Sequence, residues 1–241
     1  MDNRVDSIRK MVRKLNNPDE EGGFWLPNIQ RPFIWDEGQI ERLFDSIMRE
    51  YPISTLLVWK TNSTIKRRKF IDNYQEKLKL TAYSVPEDNK LKKLVLDGQQ
   101  RLQSLFIGLK GTYEKKELYF NILSNALEAT EDLKDDEKYE FKFMNKQAND
   151  VSLPWIKLKD LVNNEEDALT LAEEIIDSFD YKLSKGERKL VSKNTSQVVN
   201  VFRTQDNITY QEIDSIDRPN LYKEDDVVEI FIRANSGGTK L

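Results

Sequence analysis

The Asp-Gly-Gln-Gln-Arg run at residues 97–101 is the best-placed group of anion-handling side chains in this 241-residue sequence. Before it, residues 91–96 read as a strand. After it, Leu102, Leu105, Phe106 and Leu109 recur at helical spacing. A strand that turns at Gly98 and opens a helix brings free backbone N–H groups to one point, where the helix dipole favours an anion. Arg101, in the first helical turn, could reach a phosphate held there. Asp97 suits Mg2+ or a ribose hydroxyl, while Gln99 and Gln100 suit the orientation of a water or a base edge. The same five residues also allow a purely structural reading. Asp97 would then be an N-cap, with Gln100 closing a capping box.

Two further segments carry similar options. Gln30-Arg31 sits in a proline-framed aromatic stretch, residues 24–35, beside Trp25 and Trp35. Arg31 is either a second phosphate or base contact, or an ion-pair partner next to aromatic core anchors. Near the end, Phe231-Ile232-Arg233-Ala234-Asn235-Ser236-Gly237-Gly238 offers Arg233 and Asn235 to a ligand site. Alternatively, Asn235 and the glycines cap a helix. Lys66-Arg67-Arg68-Lys69 is the one dense basic run, of a kind that usually forms a solvated loop. Acidic residues crowd 131–137 and argue against a continuous basic face.

Composition narrows the chemistry. The sequence has no cysteine and no histidine. This excludes disulfides, thiolate and imidazole catalysis, Ser-His-Asp triads and histidine–metal nuclease motifs. What remains is carboxylates, amides, Arg, Lys and a hard cation. The net charge of −4 and pI near 5.3 give no global basic footprint for nucleic acid, so any such contact must be local or come from a partner. Neither a Walker-type loop nor a Rossmann fingerprint is present. A charged N-terminus and the absence of a long apolar stretch predict a cytoplasmic, non-membrane protein.

The elements that must position these residues follow from periodicity. Val5, Ile8, Val12 and Leu15 predict a short amphipathic helix, and residues 16–23 a turn-rich break. The two prolines in 24–35 predict an edge strand followed by an extended loop. Asp36 and Gln39 read as a capping box, ahead of a helix burying Ile40, Leu43, Phe44 and Ile47. Strands are expected at 53–59, 91–96, 117–122, 139–143 and 208–213, with a weak one near Phe70. Residues 163–203 read as two helices broken near 181–186, and Val227, Ile230, Phe231 and Ala234 as one face of a last helix. This irregular alternation favours an α+β fold over a doubly wound parallel sheet. The sequence stops just past Gly238 without a closing element, which suggests a piece of a longer protein.

In order, Gln30-Arg31-Pro32-Phe33-Ile34-Trp35, Tyr51-Pro52-Ile53, Asp97-Gly98-Gln99-Gln100-Arg101-Leu102 and residues 231–241 resemble the N-terminal domain of GmrSD-type restriction endonucleases. The resemblance spans residue 5 to the end, with little signature in 125–205. It implies a ParB/sulfiredoxin-like mixed sheet with flanking helices. Residues 1–125 would form a nucleotide-binding core, 126–205 a mostly helical insertion, and 206–241 a strand and helix returning to the core. The family binds, and in some members hydrolyses, nucleoside triphosphates at the Asp-Gly-Gln-Gln-Arg motif. The site is thus expected to use Asp97, Gln99, Gln100 and Arg101 catalytically, with Asp97 on Mg2+. Gln30, Arg31, Gly98, Arg101, Arg233 and Asn235 would hold the nucleotide. Such domains usually precede a nuclease domain in bacterial proteins that act on phage or modified DNA. Nuclease activity is not expected of this sequence alone, since the histidine–metal motif is missing. Position 103 is Gln, where many relatives carry a small hydroxyl residue, though Ser104 follows. Two other readings stand beside this one: a DNA-binding, modification-sensing module with a structural turn at Gly98, and a metal-dependent nuclease using Asp97.

Overall fold

The computed structural model describes residues 1–29, 31–125, 138–145 and 152–236. The chain opens with β1 (Asp2–Asp6), α1 (Ile8–Lys14) and β2 (Phe24–Pro27), followed by α2 (Glu37–Met48) and β3 (Leu56–Thr61). Short strands β4 (Arg67–Arg68), β5 (Asn73–Tyr74) and β6 (Ser84–Val85) occupy the polar stretch before β7 (Lys92–Asp97) and α3 (Gln99–Lys110). Next come β8 (Thr112–Tyr113), β9 (Lys116–Asn121), β10 (Phe141–Asn145) and β11 (Trp155–Lys157). Helices α4 (Leu158–Asn163), α5 (Ala168–Asp177) and α6 (Lys185–Val198) then lead to β12 (Ile208–Asp214) and α7 (Glu224–Ser236). The fold is α+β, as expected.

Among the described residues, seven strands form a mixed sheet in the order β1-β12-β3-β7-β2-β4-β6. β5, β8, β9, β10 and β11 form a second sheet. Side chains alternate along β7 as strand geometry requires. Val95 points to one face, into a core shared with Phe24, Leu26, Val58, Phe44, Leu102 and Phe106. Leu94 and Leu96 point to the other, where they meet Trp25, Trp59, Ile213 and Val227 of α7. α3 therefore packs on one face of β7 and α7 on the other, and both elements are anchored by the strand that ends at Asp97.

Several expectations hold in detail. Asp36 accepts from the Gln39 amide at 2.8 Å and Gln39 returns the bond at 3.0 Å, so α2 starts in a capping box. Such a cap contributes about 1 kcal/mol. Ile40, Leu43, Phe44 and Ile47 are all buried. α5 and α6 are separate helices, as the break near 181–186 predicts.

Three expectations are corrected. Residues 2–6 do not extend the first helix; they form β1, antiparallel to β12, with Val5 54% exposed. Pairing to a strand 206 residues away (Asp2 with Glu212 at one end, Asp6 with Ile208 at the other) outweighs local propensity. β2 is not an edge: it lies between β7, parallel over Phe24 and Trp25, and β4, antiparallel over Leu26 and Pro27. Pro27 is tolerated because pairing with β7 has ended by that point, so no ladder donor is missed. Finally, the basic run is not a solvated loop throughout. Arg67 and Arg68 are buried in β4, while Lys66 and Lys69 stay exposed. The Arg67 guanidinium lies 5.1 Å from the Trp25 ring centroid and donates to Asp88 at 2.7 Å. The acidic residues at 131–137 lie outside the described residues.

Candidate functional site

The motif sits where β7 hands over to α3. Gly98 has φ +88°, and a Cβ there would meet Leu56 Cδ2 at 2.2 Å and the Arg101 Nη2 at 3.1 Å. Only glycine fits such a turn without strain. Gly98 itself is the N-cap of α3 and carries no capping side chain. The capping box read at Asp97 and Gln100 is therefore absent: the left-handed glycine moves the cap one residue on and frees both side chains. Asp97 is half exposed, 3.8 Å from Arg101 Nη2. Arg101 donates to the carbonyls of Ile53 and Thr55, which fixes the approach to β3. Burial lowers the pKa of its guanidinium from the usual value, with Asp97 opposing the shift.

The glutamines face the other way, toward β2 and β4. Gln100 donates to Pro32 O at 3.0 Å and accepts from Ile34 N at 3.1 Å. Gln103, one turn on, donates to Ile71 O at 2.6 Å and accepts from Ile71 N at 2.9 Å. Residues three apart share a helix face, so the two amides clamp two loops to α3. Ser104 spends its hydroxyl on Gln100 O at 2.9 Å. Sequence reasoning gave Gln103 no role, although its spacing from Gln100 was a usable signal.

A shallow groove opens on this side, lined by Arg31, Arg68, Lys69, Gln99, Gln100 and Gln103. Arg68 holds the groove's wall by donating to Arg31 O at 3.0 Å, and burial lowers its pKa. Arg31 and Lys69 are exposed, and among the described residues their side chains have no hydrogen-bond or ion-pair partner. Gln99 is 8% exposed, and its amide likewise makes no hydrogen bond among those residues. The first N–H groups of α3 lack intrahelical acceptors by geometry. Donors and two uncompensated cations thus converge at the start of α3, an arrangement that can hold an anion.

α7 approaches the same end of the sheet from the opposite face. Phe231 lies with Pro27, Asn28 and Leu96 around one cavity, so the third segment reaches the ends of β2 and β7. Arg233 pairs with Glu229 of its own helix. Gln30, the side chain of Asn235, Gly237 and Gly238 lie outside the described residues. Asp97 and Arg101 stand together, as do Arg31, Gln99 and Gln100, whereas Arg233 is directed back along α7. No group of three acidic side chains able to hold a metal ion occurs among the described residues. No helix among them is long and apolar enough to cross a membrane.

A family model described as the GmrSD restriction endonuclease N-terminal domain matches residues 11–241. The chain belongs to that family. No curated protein matches the chain. In this GmrSD N-terminal domain the matched region takes in Arg31, the 97–101 turn and α7. The groove also recruits Arg68 and Lys69, which the sequence reading placed in a solvated run.

Proposed function

We propose that this domain binds a nucleoside triphosphate with Mg2+ at the start of α3. Its nucleotide state would license a nuclease domain or subunit of a bacterial restriction protein that acts in the cytoplasm on phage or modified DNA. DNA is engaged by the full protein; the net charge of −4 supports no broad DNA surface on this chain. The reading rests on one observation: Arg31, Lys69 and the amide of Gln99, none with a side-chain partner among the described residues, share a groove beside the α3 N-terminus. In it the core comprises 1–125 and 206–241, with 126–205 as an insertion. The position of β12 between β1 and β3 supports this division.

The residues are of the types such a ligand takes, and the groove, which has room for about 10 Å3 as it stands, would admit a phosphate once the exposed Arg31 and Lys69 side chains swing outward. Arg31 and Lys69 meet phosphate oxygens, and Gln99 and the first helical N–H groups complete the cradle. Asp97 is the one exposed carboxylate of the motif. Mg2+ commonly takes one or two carboxylates plus phosphate oxygens and waters; Asp97 does not line the groove, and would meet the cation from across the start of α3. When bound, the cation supplies charge neutralisation of the phosphates. Arg101 positions rather than binds, because its guanidinium is spent on Ile53 and Thr55.

Thermal unfolding with each nucleoside triphosphate plus Mg2+, on wild type and on an Arg31→Ala/Lys69→Ala double variant, tests the reading. Ligand at about 100 times its Kd adds about 2.7 kcal/mol, a midpoint rise of about 5–10 °C for a chain of this size. The rise should vanish in the double variant, whose replaced side chains are exposed and have no hydrogen-bond or ion-pair partner among the described residues. No rise in the wild type with any nucleotide at millimolar concentration would refute the proposal. Arg101→Ala is a poorer choice, since it also releases the loop before β3.

A further inference from the structure

α7 does not fully close the second face of the large sheet. It leaves a slot of about 270 Å3 walled by Pro27, Ile29, Trp59, Leu96, Val228 and Phe231. We infer that this slot takes the nucleobase of the bound nucleotide, an inference that rests on the nucleotide reading above. The placement is the first argument. Leu96 immediately precedes Asp97 and Gly98, Pro27 ends β2 and Ile29 follows it on the way to Arg31, and Phe231 precedes Arg233. Two of the three segments singled out in the sequence therefore contribute a wall, and the strand leading into the third contributes Leu94 and Leu96. Leu96 of the slot and Gln99 of the groove are three positions apart in sequence, so a nucleotide joining the two would pass round the end of β7, on whose two faces they open. Asp97 lies between them and half exposed, where a ribose hydroxyl would pass.

Size and chemistry agree with a flat ring. Ligand pockets for whole small molecules hold roughly 300–1,000 Å3, so a slot of about 270 Å3 suits a ring system rather than a complete triphosphate. Apart from Asn28 and Lys66 its walls are apolar, with the aromatic side chains of Trp59 and Phe231, the kind of surface on which bases stack regardless of sequence. Asn28 stands at the mouth, exposed, its side-chain amide without a partner among the described residues. An amide offers a donor and an acceptor side by side, which is what the edge of a base requires.

Calorimetric titration of the whole chain, with each nucleoside triphosphate and with inorganic triphosphate, all in Mg2+, separates the slot from the groove. Val228→Trp fills the slot from a position that is 41% exposed, and Phe231→Ala removes one wall. Either change should weaken the best nucleotide by about tenfold or more, the loss of a stacked base, while inorganic triphosphate binds as it does to wild type. Unchanged inorganic triphosphate binding also shows that each variant is folded. Nucleotide affinity that survives both changes, or equals that of inorganic triphosphate in the wild type, overturns the slot and leaves the phosphate groove standing. Failure of the wild type to bind either ligand removes both.

Discussion

Gly98→Ala tests the geometry on which the site depends. Two separate penalties are expected. Holding an alanine at φ +88° costs about 1–2 kcal/mol. Its Cβ would also lie 2.2 Å from Leu56 Cδ2 and 3.1 Å from the Arg101 Nη2, forcing a shift in packed surroundings. Overpacking of this kind costs about 1–3 kcal/mol. A total of about 3 kcal/mol lowers the midpoint by about 6–12 °C in a chain of this length. The assay is thermal and urea unfolding of Gly98→Ala beside Gly186→Ala. A Cβ at Gly186 meets nothing closer than Ser184 Oγ at 3.9 Å. That control should hold or slightly raise stability, because alanine is the better helix former.

The two penalties can be separated by a double-mutant cycle with Leu56→Ala. Leu56→Ala removes the steric clash but not the backbone strain. The double variant should therefore be more stable than the sum of the single effects by about 1–3 kcal/mol. If Gly98→Ala unfolds within about 1 °C of wild type, the left-handed turn is not what positions α3. If the cycle is additive, the Leu56 contact is not what restricts position 98.

Two other expectations follow from the same region and its surroundings. Gln103→Leu leaves the backbone N–H and C=O of Ile71 without their partners in a buried site. Each orphaned group costs about 1–3 kcal/mol, so urea unfolding should show a loss of about 2–5 kcal/mol, and a loss below about 1 kcal/mol would contradict the clamp. The hydrogen bond from Arg67, helped by Lys92, holds the Asp88 carboxyl at about 2, below its ordinary 3.8. A depressed pKa contributes stability that is fully present above pH 3.8 and is lost as pH falls through about 2. The wild type should lose about 2 kcal/mol across that window from this group, and Asp88→Asn should flatten that part of the curve. Asp214 titrates in the same window: against the upward pull of burial, Lys60 and the N–H groups of Asp217 and Ile216 hold it at about 2, so the acid limb persists in part. An acid limb identical in wild type and Asp88→Asn would show that the Arg67 pair is not coupled to folding.

Local pattern carried the strand–turn–helix unit, the capping box of α2 and the buried faces of α2 and α3, because each is set by residues a few positions apart. The α+β class was legible for the same reason. The elements that escaped are set by distant pairing. β1 reads Asp-Asn-Arg-Val-Asp, with no apolar alternation, and becomes a strand only beside β12. β2 contains Pro27 and still lies inside the sheet, because a two-residue strand more than 40 positions later covers it. The Asp97 capping box was a sound local alternative, undone by the left-handed Gly98.

The candidate site shows the same division. Residues 97–101 announce themselves by type and spacing, and Arg31 stands out in its proline-framed aromatic loop, yet nothing local joins it to Lys69. The run 66–69 reads as a solvated basic tract. Antiparallel pairing of β2 with β4 sets Leu26 opposite Arg68 and Pro27 opposite Arg67. That register turns Arg67 onto Trp25 and Arg68 onto Arg31 O, and leaves Lys69 at the groove with Arg31. Since side chains alternate along a strand, a slip of one residue would exchange the roles of Arg67 and Arg68. The loop holding Arg31 would then lose its tether. The proposed anion site is therefore a property of strand register as much as of the motif, and its charge lies in residues the motif does not contain.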